Sequence, residues 1–139
     1  MKRLKNILTV VMLLCAAVAS AETVVVDGIT YNVIKKAKQA QVIAGETKYT
    51  GKMVIPETIE YDGVTCSVTS IGNKAFYWCS GLTSVEIGNS VTSIEDYAFY
   101  KCSGLTSVEI PNSVTSIGND ALYNCSGLTS VEIPNSVTS

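Results

Sequence analysis

Three glutamates, Glu86, Glu109 and Glu132, stand 23 residues apart, each between a valine and an isoleucine. If Val-Glu-Ile is a strand, its two apolar residues face one way and the glutamate the other. Neighbouring strands lie about 4.8 Å apart. The three carboxylates would then approach the ~5–5.5 Å separation of a retaining glycosidase pair. Closeness alone does not make an acid and a base, because the two groups need different surroundings to separate their pKa values. Identical copies on an open sheet share one environment. The ladder is therefore expected to be a solvated acidic stripe, with weak binding of a cation such as calcium as the other reading. Catalysis is not expected.

Cys79, Cys102 and Cys125 share a second repeated position. Stacking would bring neighbouring members within the Cα range of a disulfide, although parallel side chains on successive rungs seldom offer the required torsion. The chain has no CxxC pair and no histidine. A zinc site would have to be all thiolate at unusual spacing, and Ser-His-Asp or Cys-His catalysis is excluded. The column reads as small buried hydrophobes, with Cys66 outside it. No metal and no cofactor is expected.

Tyr77, Tyr100 and Tyr123 form a third column, each following Phe76, Phe99 or Leu122 by one residue. They are expected to lean outward on the convex side. There they could serve recognition, since tyrosine joins apolar area to a polar tip, or stack between coils. Trp78, Lys101 and Asn124 occupy the next position and differ in every copy. A variable exposed position on a fixed frame could tune binding. Asn89, Asn112 and Asn135 are expected to stabilise turns as an amide ladder.

These columns belong to one internal repeat. The units are 68–90, 91–113 and 114–136, and the first and second agree at 18 of 23 positions, so a common structure for all three is required. The second unit carries the apolar skeleton Val91, Ile94, Ala98, Phe99, Cys102, Leu105, Val108 and Ile110. Val108-Glu109-Ile110 alternates as a strand, and Pro111-Asn112 follows as a turn. Ala98, Phe99, Cys102 and Leu105 fit one face of a short helical turn. Val114 to Ile117 fits a second short strand. A single unit of this kind cannot bury enough apolar surface to fold, so stability must come from stacking neighbours.

Residues 22–67 lack the period. Asp27-Gly28 and Asp62-Gly63 sit between apolar runs and signal hairpins, and Gln41 to Ala44 is expected to be another strand. This region reads as the cap that covers the first coil. Its last part, Met53-Val-Ile-Pro56 followed by Val68-Thr-Ser-Ile71, reads as an edge repeat.

Residues 1–21 read as a secretory signal: Lys2, Arg3 and Lys5, then an apolar run from Ile7 to Ala19, then the small-residue box Ala19-Ser20-Ala21. The run falls short of the ~20 residues that span a bilayer. Leu14 before Cys15 does not suit a lipobox. Removing the signal leaves seven lysines against twelve acids, a net charge of −5. That charge argues against nucleic acid, whose phosphates need Lys and Arg, and no further stretch is expected to enter a membrane. Val137-Thr138-Ser139 begins a fourth unit without completing it. The chain is therefore expected to be a fragment of a longer adhesin, or a short form that self-associates through an open edge at Leu128, Val131 and Ile133.

The run from Leu105 to Ile117, with Ala121-Leu122 and Cys125-Ser-Gly-Leu128, resembles the BspA-type leucine-rich repeats of bacterial surface proteins. The resemblance covers residues 68–139. It implies a solenoid of parallel strands displayed outside the cell, and adhesion to a protein or glycan such as host extracellular matrix. The expectation is a leucine-rich repeat solenoid with short helical turns, an N-terminal β-hairpin cap and no C-terminal cap, exported as a binding scaffold. Its candidate contact residues are Ser84, Glu86, Ser107, Glu109, Ser130 and Glu132 on the sheet, with Tyr77, Tyr100 and Tyr123.

Overall fold

A computed structural model describes residues 7–12 and 21–139. Most of the segment read as an export signal, including Ala19 and Ser20 of its cleavage box, lies outside the described residues. Within that segment Ile7–Met12 forms strand β1, antiparallel to β2 (Ala21–Val26).

Runs of β-branched residues favour the pleated conformation, and β2 and β3 (Ile29–Ile34) pair antiparallel through six positions. Asp27 and Gly28 make the turn between them with φ of 49° and 82°. Asp62 and Gly63 do the same with φ of 53° and 75° between β6 (Thr58–Tyr61) and β7 (Val64–Ile71). Left-handed values at both central residues match the natural twist of a hairpin.

Residues 39–56 act as a diverged coil ahead of the first regular unit. Strand β4 (Gln39–Ile43) runs parallel to β7, setting Ala40 opposite Val68 and Val42 opposite Ile71. Strand β5 (Gly51–Ile55) runs parallel to β8 (Leu82–Ile87), setting Met53 opposite Val85 and Ile55 opposite Ile87. Tyr49 lies between these strands, and its ring packs on Phe76 at 4.9 Å. Phe76 in turn stacks on Phe99 at 4.9 Å, with the rings 6° from parallel. The aromatic column therefore starts ahead of the first regular unit, where the period is no longer visible in the sequence.

From there each coil contributes to two sheets. Strands β7, β9 (Ser93–Ile94) and β11 (Ser116–Ile117) pair in parallel along one side, and β5, β8 and β10 (Ser107–Glu109) along the other. Leu82 and Leu105 are fully buried between the sheets, with Val68, Val91 and Val114. Residues 128–133, expected as a third copy of the leucine strand, form no strand. Strand β8 is held from both sides by β5 and β10, whereas β10 pairs with β8 alone and is half as long.

The short helical turn expected over Ala98, Phe99, Cys102 and Leu105 is not a helix. Among the described residues the only helical segment is a single 3-10 turn, Lys35–Ala37. All four residues are buried as the spacing required. Their backbone, however, alternates local and inter-coil hydrogen bonds. Ala98, Tyr100 and Cys102 N–H groups donate three residues back, while those of Phe99 and Lys101 donate to Ala121 and Tyr123 of the next coil. An α-helix would instead direct its N–H groups four residues back within one coil. Left-handed residues at Tyr97 (φ 58°) and Lys101 (φ 57°) break the helical path, and Lys74, Trp78, Asp120 and Asn124 repeat this in the other units.

Candidate binding surfaces

The leucine strands determine the first candidate surface. Parallel register places Ser84 opposite Ser107 and Glu86 opposite Glu109, so like side chains stand on successive strands. Ser107, Glu109, Ser130 and Glu132 are exposed, as is Glu86, and Ser84 is half-buried. Sequence spacing did not reveal the partner of the first carboxylate. Lys52 on β5 meets Glu86 at 2.7 Å, and this hydrogen bond holds the ammonium above its ordinary pKa. The ladder is therefore graded: Glu86 is neutralised, and Glu109 and Glu132 have no such partner among the described residues. Exposed carboxylates on an open sheet lack the desolvation that divides an acid from a base.

The tyrosine column forms the second surface. Tyr77 stacks on Tyr100 at 5.1 Å and Tyr100 on Tyr123 at 5.2 Å, with planes 9° and 13° apart. Stacking between coils, one of the two sequence readings, is what these rings do. They still reach solvent, and Tyr123 is 54% exposed. The variable position beside them is also the left-handed one: Trp78, Lys101 and Asn124 have φ of 59°, 57° and 58°. Lys101 Nζ lies 4.5 Å from the centre of the Trp78 ring.

The cysteine column is internal. Cys66, Cys79, Cys102 and Cys125 are free and buried. Burial pushes the Cys66 and Cys79 thiols above their ordinary pKa. Among the described residues, no group of three His, Cys, Asp or Glu side chains is arranged to hold a metal ion.

The expected asparagine ladder is replaced by threonine. Asn89, Asn112 and Asn135 are exposed and make no side-chain hydrogen bond among those described. Instead, Thr92, Thr115 and Thr138 each donate from Oγ1 to the threonine carbonyl 23 residues earlier, at 3.2, 3.2 and 3.5 Å. Thr106 bonds Thr83 the same way at 3.1 Å. The short hydroxyl reaches the very carbonyl that its own N–H already uses. The 23-residue recurrence of threonine was the available signal.

Glu95 was also not anticipated. Its siblings are Gly72 and Gly118, and the substitution has a structural use. Glu95 accepts hydrogen bonds from Gln41 Nε2 at 2.8 Å and from the Asn73 N–H at 3.1 Å. Gln41 also donates to Ser70 at 3.0 Å. One carboxylate thus ties strand β4 to two coils.

Comparison with known proteins agrees with this geometry. Residues 57–139 match the family model described as BspA type leucine rich repeat region, in six copies. A leucine-rich repeat protein from Bacteroides ovatus is similar at 33% identity and a TM-score of 0.76, over 82% of this chain and 30% of that one. This chain therefore spans less than a third of that protein's length. One from Bacteroides capillosus is similar at 27% identity and a TM-score of 0.72, over 83% of this chain and 84% of the other. A leucine rich cell surface protein from Faecalibacterium prausnitzii gives 26% identity and a TM-score of 0.64, over 79% and 36%. No curated protein gave a match.

Proposed function

The chain belongs to the BspA-type leucine-rich repeat family, and from that premise we propose that it is an exported, non-catalytic adhesion scaffold. The supporting observation is the register of β8 and β10, which sets Ser84 against Ser107 and Glu86 against Glu109 on an exposed sheet. A repeated row offers a ligand many equivalent weak contacts. Such contacts reinforce one another when they can be made together. A cell-surface relative of the same fold supports export, as does the basic, then apolar, then small-residue order of residues 1–21.

The ligand of this face is a basic protein surface, complementary to Glu109 and Glu132. Charge reversal at both positions, Glu109→Lys with Glu132→Lys, leaves Lys52 and Glu86 themselves unsubstituted. Binding to immobilised extracellular-matrix proteins should weaken by about tenfold or more, equivalent to ~1.4 kcal/mol. The urea midpoint should stay unchanged, because exposed charges contribute little to stability. Undiminished binding by the reversed protein rules out this face.

A further inference from the structure

We infer that the turn side of the first two regular coils, built from Trp78, Tyr77, Tyr97 and Tyr100 with Lys74 and Lys101, is a second binding site that takes an acidic polysaccharide. It lies on a different part of the coil from Glu86 and Glu109 and does not depend on the role proposed for them.

The charge distribution is the first argument. Beyond residue 21 the chain holds seven lysines, and three of them, Lys48, Lys74 and Lys101, gather around these rings. Lys74 Nζ lies 5.2 Å from the Tyr77 ring centre and 5.9 Å from that of Tyr97. Lys101 Nζ lies 4.5 Å from Trp78 and 5.6 Å from Tyr100. Each ammonium is thus shared by two aromatic rings. Lys48 lies 5.9 Å from Tyr77 and donates to its carbonyl at 2.6 Å. Tyr97 closes the group with an edge-on contact to Tyr100 at 5.6 Å. On the third coil the equivalent of Lys74 and Tyr97 is Asp120, and that of Trp78 is Asn124. The cationic aromatic patch ends there.

Exposure is the second argument, and it is independent of charge. Trp78 is 49% exposed, at a left-handed position (φ 59°) that every unit shares and that asparagine fills at 124. A large aromatic ring left half in water offers a ligand apolar area together with a polar N–H edge.

The chemistry selects the ligand. An aromatic face carries negative charge density and its edge positive, so a bare anion does not settle on these rings. The C–H face of a pyranose does, and Trp78, half exposed and outside the tyrosine stack, is the ring that offers it a surface. Lysines poised over the rings then supply donors for a carboxylate or sulfate on the same sugar. An acidic peptide has no flat C–H face to offer.

Trp78 is the only tryptophan in the chain, so its fluorescence reports on this patch alone. Titration with polygalacturonate (carboxylate) or heparin (sulfate) should shift or quench the emission, with affinity falling as salt rises. Neutral dextran should leave it unchanged. By calorimetry, Trp78→Asn and the pair Lys74→Gln with Lys101→Gln should each weaken binding about tenfold, or ~1.4 kcal/mol, without lowering the unfolding midpoint. Silence towards both polyanions overturns the inference, as does dextran binding equally well. It is also overturned if Trp78→Asn binds as before, or if inorganic polyphosphate binds as tightly as the sugars, since charge alone would then suffice.

Discussion

The Cys125 thiol donates a hydrogen bond to the Phe99 carbonyl at 3.0 Å, and the Cys102 thiol donates the same bond to Phe76 at 2.9 Å. Each cysteine therefore fills core volume and fastens its coil to the one before. Phe76 O already accepts the Cys79 N–H at 3.1 Å, so the thiol completes that carbonyl's second lone pair.

Cys102→Ala removes this bond and leaves a small cavity, at a cost of about 2 kcal/mol, measurable as a lower urea midpoint. The four buried thiols should ignore a thiol reagent in the folded protein and react when denaturant is added. Rapid modification under native conditions contradicts the packing.

Alkaline pH should destabilise the protein. Burial raises Cys66 and Cys79. Burial also raises the Tyr31 and Tyr49 phenols. Unfolding returns these groups to about 8.5 for thiols and about 10 for phenols. As pH passes those values the unfolded chain loses protons that the folded one keeps, so stability falls. It is fully present below about pH 8 and declines from about pH 8.5 upward. A melting temperature flat from pH 7 to 10 contradicts this.

Gly104 faces the backbone of the preceding coil, and a Cβ there would collide with the Ser80 carbonyl oxygen. Gly104→Ala should cost about 3 kcal/mol, at the upper end for overpacking. Gly28→Ala, where φ is 82° but the surrounding space is open, should cost about 1 kcal/mol. Equal unfolding midpoints for the two variants would argue against close inter-coil contact.

Glu95→Gly restores the residue found in the neighbouring units and should nevertheless destabilise the chain by about 1–2 kcal/mol. Gln41→Ala should couple to it, so that the double variant loses less than the two single losses combined. Strict additivity would show that the link between β4 and the coils carries no energy.

The 23-residue recurrence alone determined the stacking and its register. Identical units bury their apolar faces only against each other, so Leu82 and Leu105, the phenylalanines and the cysteines had to form columns. Burial was legible because it follows from side-chain type and period. Backbone path was not: Ala98, Phe99, Cys102 and Leu105 have helical spacing, but their N–H groups are divided between their own coil and the next. That choice depends on a neighbouring coil's carbonyls, which no local pattern contains. For the same reason only the tertiary structure revealed Tyr49 above Phe76, Lys52 beside Glu86 and Glu95 reaching Gln41. Each of these pairs joins the aperiodic N-terminal region to the repeats, where sequence spacing gives no register and the folded chain alone brings the partners together.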